Sequence, residues 1–235
     1  MTTSVPVIAP VTPAGGPLPR AASVLAVTAR PGQEPVDLGG LLYAFRRTGA
    51  VLGLLCLTRG EASPLNSTCA RLEAVRPWEL QLAASTLGIS RIAVASYPDS
   101  GLRQQPMAEL TERVRRAIRQ QSADLLLVID PAAGDPDDTA VAVAACAAAR
   151  QAGVPAVACT SPATPGSWTI DLGAETVTAR AIQKSATAAH ASQSQALPQL
   201  ARQLDRLGGR EQLRWLVSPQ RDPRARSRAV RDKWS

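Results

Sequence analysis

The stretch that most constrains this chain is residues 24–40, VLAVTARPGQEPVDLGG. Its apolar run, Val24, Leu25, Ala26 and Val27, ends in a turn at Pro31 and Gly32, the pattern of a short buried strand running into a loop. After the loop, Asp37 precedes Leu38, Leu41, Leu42 and Phe45, a spacing that predicts one apolar helix face with an acidic first turn. Strand, loop and helix at the start of an alternating chain put the loop at the carboxyl edge of a parallel sheet, where ligands bind.

The alternation continues. Apolar runs predict strands at residues 51–57, 92–96, 124–129, 156–160 and 167–172. Helical patterns occupy residues 38–48, 72–87, 107–121, 139–151 and 174–191, with short helices expected at 197–207 and 211–217. Gly49 stops the first helix, and Pro77 either starts the main body of the second or bends it. In residues 107–121, Leu110, Val114 and Ile118 point inward, leaving Arg113, Arg115, Arg116 and Arg119 on a mostly solvated face.

With 235 residues, 45% of them hydrophobic, the chain can bury one good core. The predicted organisation is a Pro-rich arm over residues 1–20, one α/β domain over 21–217 and a basic tail over 218–235. The formal charge of +7 is concentrated in that tail, where Arg221, Arg224, Arg226, Arg228, Arg231 and Lys233 crowd together. No aromatic residues interleave with them in a nucleic-acid-binding pattern, so the tail reads as a solvated end and nucleic acid is not an expected partner. Cys56, Cys146 and Cys159 lie in apolar runs as small core residues, whereas Cys69 sits in a polar loop; none has metal-ribbon spacing. Neither a signal peptide nor a membrane span is read, so a reduced cytoplasmic setting is expected.

Several segments, in order, resemble the PIG-L/LmbE-like family of zinc-dependent N-acetylglucosaminyl deacetylases. The family's Ala-His-Pro-Asp-Asp-Glu followed by Gly-Gly survives here as a frame: Ala29, Pro31, Glu34, Gly39 and Gly40. Thr58-Arg59-Gly60-Glu61 matches its Thr-x-Gly-Glu turn, and Arg76 with Glu79, followed by Leu87-Gly88, matches a further pairing. Residues 97–102, YPDSGL, look like its Tyr/Phe-Pro-Asp-Gly-Gly-Leu loop with Ser100 replacing a glycine. Residues 134–138, GDPDD, stand where the family has Gly-His-Pro-Asp-His, Asp171 also matches, and residues 184–193, KSATAAHASQ, resemble Lys-x3-Ala-x2-His-x-Ser-Gln. The resemblance spans residues 23–216 and implies a Rossmann-like, LmbE-like fold with a mainly parallel sheet and helices on both faces.

The frame is kept and the chemistry is not. In the family, two His and one Asp hold zinc, and the Asp beside the ligand Asp is the general base. By the resemblance, the ligand positions here are Arg30, Gln33 and Asp138, the base position is Gly32, and Asp135 replaces the second motif's upstream His. Arginine has no lone pair to give, and glycine has no side chain. No catalytic set is intact, and no cofactor or metal is expected. Glu34, Arg76, Asp99, Asp137 and His190 are the candidate pocket residues that the resemblance leaves.

Two readings follow. In the first, the chain has lost zinc hydrolysis and binds a sugar-type small molecule or a protein partner. In the second it remains an enzyme, deacetylating an N-acetylglucosaminyl substrate or using Asp135, Asp137, Asp138, Glu34 and Asp99 around Mg or Mn. The paired changes at 30, 135 and 138 predict an ion pair from Arg30 to Asp135 or Asp138 where the cation sits in active relatives. The alternative is that Arg30 swings to solvent and both aspartates cap the following helix.

Overall fold

The computed structural model describes residues 17–66 and 71–219. Its centre is a seven-stranded sheet of β1 (Ser23–Thr28), β2 (Val51–Thr58), β3 (Arg91–Tyr97), β4 (Leu125–Ile129), β5 (Ala156–Cys159), β6 (Trp168–Asp171) and β7 (Arg210–Val217). The strand order is β3-β2-β1-β4-β5-β7-β6, with the first five parallel and β7 antiparallel to both its neighbours. This is the expected α/β architecture.

Central parallel strands are covered on both faces, which is why β1, β2 and β4 read as unbroken apolar runs. Val24 and Ala26 of β1 face Leu41, Leu42 and Phe45 of α2 (Gly39–Arg47) and Leu80 and Leu87 of α3 (Leu72–Leu87). Leu25 and Val27, pointing the other way, meet Leu110 and Val114 of α4 (Met107–Gln121) and Ala144 and Ala148 of α5 (Pro136–Ala152). Truncating one of these leucines to alanine costs ~2–5 kcal/mol. The first layer is completed by α6 (Thr176–Ala188) through Ala186, and α7 (Leu197–Leu207) packs beside α6.

Four expectations are corrected. Residues 211–217 are not a helix: they lie within β7, because Leu213 and Glu211 alternate inward and the segment pairs with both β5 and β6. Tertiary pairing overrides the helical propensity of a Glu-, Gln- and Leu-rich string. The first helix begins at Gly39, after a separate turn of helix, α1 (Gln33–Val36), so Asp37 ends α1 instead of standing in an acidic first turn. The alanine-rich helix starts three residues early, at Pro136, because Pro136 suits a first helical position and Asp135 caps it. The arm expected over residues 1–20 is packed at its end, where Leu18 lies against the core; its remainder, and the tail beyond Pro219, fall outside the described residues. Cys69 also falls outside them, Cys56 is fully buried as expected, and Cys146 and Cys159 are only partly so.

Candidate functional site

The loops after β1 and β4 meet at the topological switch point, where α1 and α2 leave to one face and α5 to the other. Two links join them. Arg30 Nη2 donates to Asp135 Oδ2 at 2.5 Å, and Gln33 Nε2 donates to Asp138 Oδ1 at 2.7 Å. Asp135 also acts within its own loop, where its Oδ1 accepts from the backbone N–H of Asp137 (2.8 Å) and Asp138 (3.1 Å), capping α5. The expected Arg30 ion pair is therefore formed, to Asp135, and Arg30 does not swing to solvent; of the two aspartates only Asp135 caps the helix, while Asp138 is held by Gln33.

Gln33 is equally engaged. Its Oε1 accepts from the N–H groups of Ala29 (2.9 Å) and Arg30 (3.1 Å), so both ends of the amide are used. Burial opposes ionisation of Asp135, but the Asp138 N–H and the Arg30 guanidinium outweigh it and hold the carboxyl below its ordinary value. Burial pushes the Asp138 carboxyl up; the Gln33 hydrogen bond only partly offsets that.

Beneath this clamp lies a buried layer that fixes the β1 loop. Glu34 is fully buried; its Oε2 accepts from Gly32 N at 2.8 Å and its Oε1 lies 2.6 Å from His190 Nε2. Arg76 points inward and donates to Gly60 O (2.6 Å) and Pro31 O (2.5 Å). Glu79 accepts from the backbone and hydroxyl of Ser192, both at 2.7 Å, tying α3 to the segment after His190. Gly32 sits at φ 99°, in the left-handed region that an aspartate at the base position enters only with strain.

Of the remaining candidates, Asp99 is partly exposed and Asp137 is buried. Asp99 is tied to the turn after β2, accepting from Thr58 Oγ1 (3.2 Å) and Ala62 N (3.0 Å). Asp137 accepts from Leu102 N at 3.0 Å, and its Oδ2 is buried without a partner. Sequence reasoning missed Asp37, which ends α1 at the mouth of a neighbouring cleft, and the pairing of Asp130 with Arg214, at 2.8 and 2.6 Å. The Asp130-Pro131 step at the end of β4 was the available signal for the pairing.

These donors do not fit zinc. Arg30 carries no lone pair, Gln33 Oε1 is occupied by two N–H groups, and Asp138 is the single ligand-type group left at the three positions. Among the described residues, no group of three or more His, Cys, Asp or Glu is arranged to hold a metal ion.

Fold and site together define a Rossmann-like α/β protein whose chemistry would lie between the β1 and β4 loops. Residues 25–149 match the family model described as PIG-L: GlcNAc-PI de-N-acetylase, and the chain belongs to this deacetylase family. A protein of Bacillus anthracis named "Probable N-acetyl-alpha-D-glucosaminyl L-malate deacetylase 2" is 29% identical over 129 residues, 52% of this chain and 57% of that one. The match thus spans little more than half of that relative. Among solved structures, a conserved protein of Thermus thermophilus superposes with a TM-score of 0.68 at 20% identity, over 85% of this chain and 97% of that one. The N,N'-diacetylchitobiose deacetylase of Pyrococcus horikoshii gives 0.66 at 17% identity, over 85% and 84%. At these identities the structures establish the fold.

Proposed function

We propose that this family member has lost zinc-dependent N-deacetylation and works by binding, as a sugar-type receptor or a scaffold for a protein partner. The observation that carries this reading is the clamp of Arg30–Asp135 and Gln33–Asp138, which fills the three ligand positions with a cation and engaged polar groups. With Gly32 at the base position, no side chain stands there to take a proton from water. Glu34, Arg76 and His190 then serve to shape the loop, Asp137 is buried on the Leu102 N–H, and Asp99 borders the ligand-facing rim. Family relatives named for N-acetylglucosaminyl and diacetylchitobiose substrates support a sugar as the ligand class. The binding body is residues 21–217. No helix among the described residues is long and apolar enough to cross a membrane, and Cys56, Cys146 and Cys159 are free thiols, in keeping with a reducing cytoplasm.

The test is direct. Purified full-length protein is assayed for zinc content and for acetate release from N-acetylglucosaminides, with and without chelator. The expected result is substoichiometric zinc and no chelator-sensitive acetate. Stoichiometric zinc with chelator-sensitive acetate release overturns the reading.

A further inference from the structure

A cleft of about 730 Å³ opens at the carboxyl edges of β4 and β5, within the size range of small-molecule sites, ~300–1,000 Å³. One wall is the turn from α7 into β7. Gln203, Arg206 and Leu207 share a face of α7 by their i, i+3, i+4 spacing, and Arg210 follows as the first residue of β7. The turn between the two arginines is fixed. Gly208 holds φ 55° and ψ −130°, a conformation that favours glycine, and a Cβ on Gly209 would lie 2.3 Å from Thr176 Oγ1. Buried Arg180 donates to Gly208 O at 2.7 Å and to Arg210 O at 3.4 Å, holding the backbone on both sides of the turn.

The acids near this wall are engaged elsewhere. Asp205 pairs with Lys184, Glu211 with Arg180 and Asp130 with Arg214, each at 2.6 Å. Asp171, opposite Arg210 in the β6–β7 register, accepts from Gly173 N at 2.8 Å and forms no ion pair with it. Arg206 and Arg210 thus line the cleft with no side-chain hydrogen bond or ion pair among the described residues. Asp37 is the lining acid left in the same condition, and it belongs to the wall contributed by the segment after β1.

Two free guanidiniums on one wall and a carboxylate on another suit a ligand with an anionic end and a hydroxylated body. A phosphate monoester, with about −1.5 to −2 charges at pH 7 and three acceptor oxygens, matches two arginine forks better than a singly charged carboxylate does. The Thr160 and Thr164 hydroxyls, 2.7 Å apart, and the Gln203 amide offer neutral hydrogen bonds to the body.

We propose that this cleft binds a small sugar phosphate, its phosphate held by Arg206 and Arg210 and its hydroxyls by Thr160, Thr164, Gln203 and Asp37. The site is independent of whether the chain retains hydrolysis, since none of positions 30, 32, 33 and 138 lines the cleft.

Calorimetry on the full-length protein tests this at about pH 8 in about 150 mM salt, which screens exposed charges. Glucose 6-phosphate is compared with glucose, gluconate and inorganic phosphate. It should bind about tenfold or more tighter than each of the three. Arg206→Gln combined with Arg210→Gln, folded by circular dichroism, should lose that tenfold. Arg221→Gln combined with Arg224→Gln, which removes the same charge from the basic tail, should leave the affinity unchanged. Equal binding of glucose or gluconate overturns the phosphate assignment, and equal binding of inorganic phosphate shows that the arginines attract any phosphate without the cleft. No binding of glucose 6-phosphate at about 10 mM, affinity retained without Arg206 and Arg210, or an equal loss in the tail variant likewise overturns the proposal. The four-ligand comparison on unaltered protein decides even if a variant does not fold.

Discussion

Arg30 Nη2 and Asp135 Oδ2 lie 2.5 Å apart across 105 residues of chain, joining the loop after β1 to the N-cap of α5. Each side chain keeps partial exposure, 28% and 35%, so the pair lies between a screened surface bridge and a buried one. Geometry makes the difference here, because the second oxygen of the same carboxylate is fixed by two backbone N–H groups and cannot wander.

Arg30→Ala should therefore destabilise the protein by about 1–2 kcal/mol, between the ~0–1 of exposed pairs and the ~3–5 of broken buried ones. Arg116→Ala, on the solvated face of α4, should change little. Urea unfolding of both variants checks the contrast; equal losses would mean that the clamp contributes nothing beyond an ordinary surface arginine.

Two side-chain pairs, Arg30–Asp135 and Gln33–Asp138, tie the two loops, so a chelator should leave the melting temperature of the purified protein unchanged. Differential scanning calorimetry with and without EDTA reads this. A clear drop on chelation would place a structural metal in the folded state.

Asp37 and Asp135 should pull stability in opposite directions with pH. A carboxyl raised from 3.8 to about 7 means that the folded state holds a proton the unfolded state has lost, so stability rises as pH falls from about 7 toward 4. Asp135, held below its ordinary value, contributes stability above about pH 4 that is lost on further acidification. Asp37→Asn should flatten the first limb and stabilise at about pH 8 by ~1–2 kcal/mol, a figure discounted for the carboxylate's access to cleft water. Denaturant unfolding from pH 4 to 8 measures it, and an unchanged profile in the variant would refute the assignment.

Gly40→Ala should be severely destabilising, by ~2 kcal/mol or more. A Cβ there would lie 1.8 Å from Glu211 Oε1, in a carboxylate held by Arg180 and only 5% exposed. Arg180 Nη1 also donates to Gln183 Oε1, and Gln183 Nε2 in turn donates to Pro35 O at 2.7 Å, so little there can yield. A melting temperature within a degree or two of the unaltered protein would show that this network relaxes freely.

Much of this was legible in the chain. Residues 72–87, 107–121 and 197–207 are helices to the residue, since their apolar spacing and glycine or turn stops are local properties. The Arg30 salt bridge to Asp135 was expected from the family resemblance, which sets Arg30 and Gly32 at ligand and base positions, together with charge compensation. The Gly39-Gly40 pair could be recognised but not explained, because the side chains that demand it, Gln183 and Glu211, lie far along the chain and approach only when α6 and β7 are placed.

By itself, then, the sequence determined the alternation of strands and helices, the parallel core and the presence at position 30 of an arginine, which has no lone pair to give a metal. Those are properties of local periodicity and of which atoms a side chain owns. Tertiary structure alone decided that residues 210–217 form a strand, because pairing with β5 and β6 outweighs weak helical propensity. It alone also decided that Asp37 is left unpaired beside a cleft while Asp130 and Glu211 are neutralised. Whether a buried carboxylate finds a cation depends on what the rest of the fold brings within hydrogen-bonding distance.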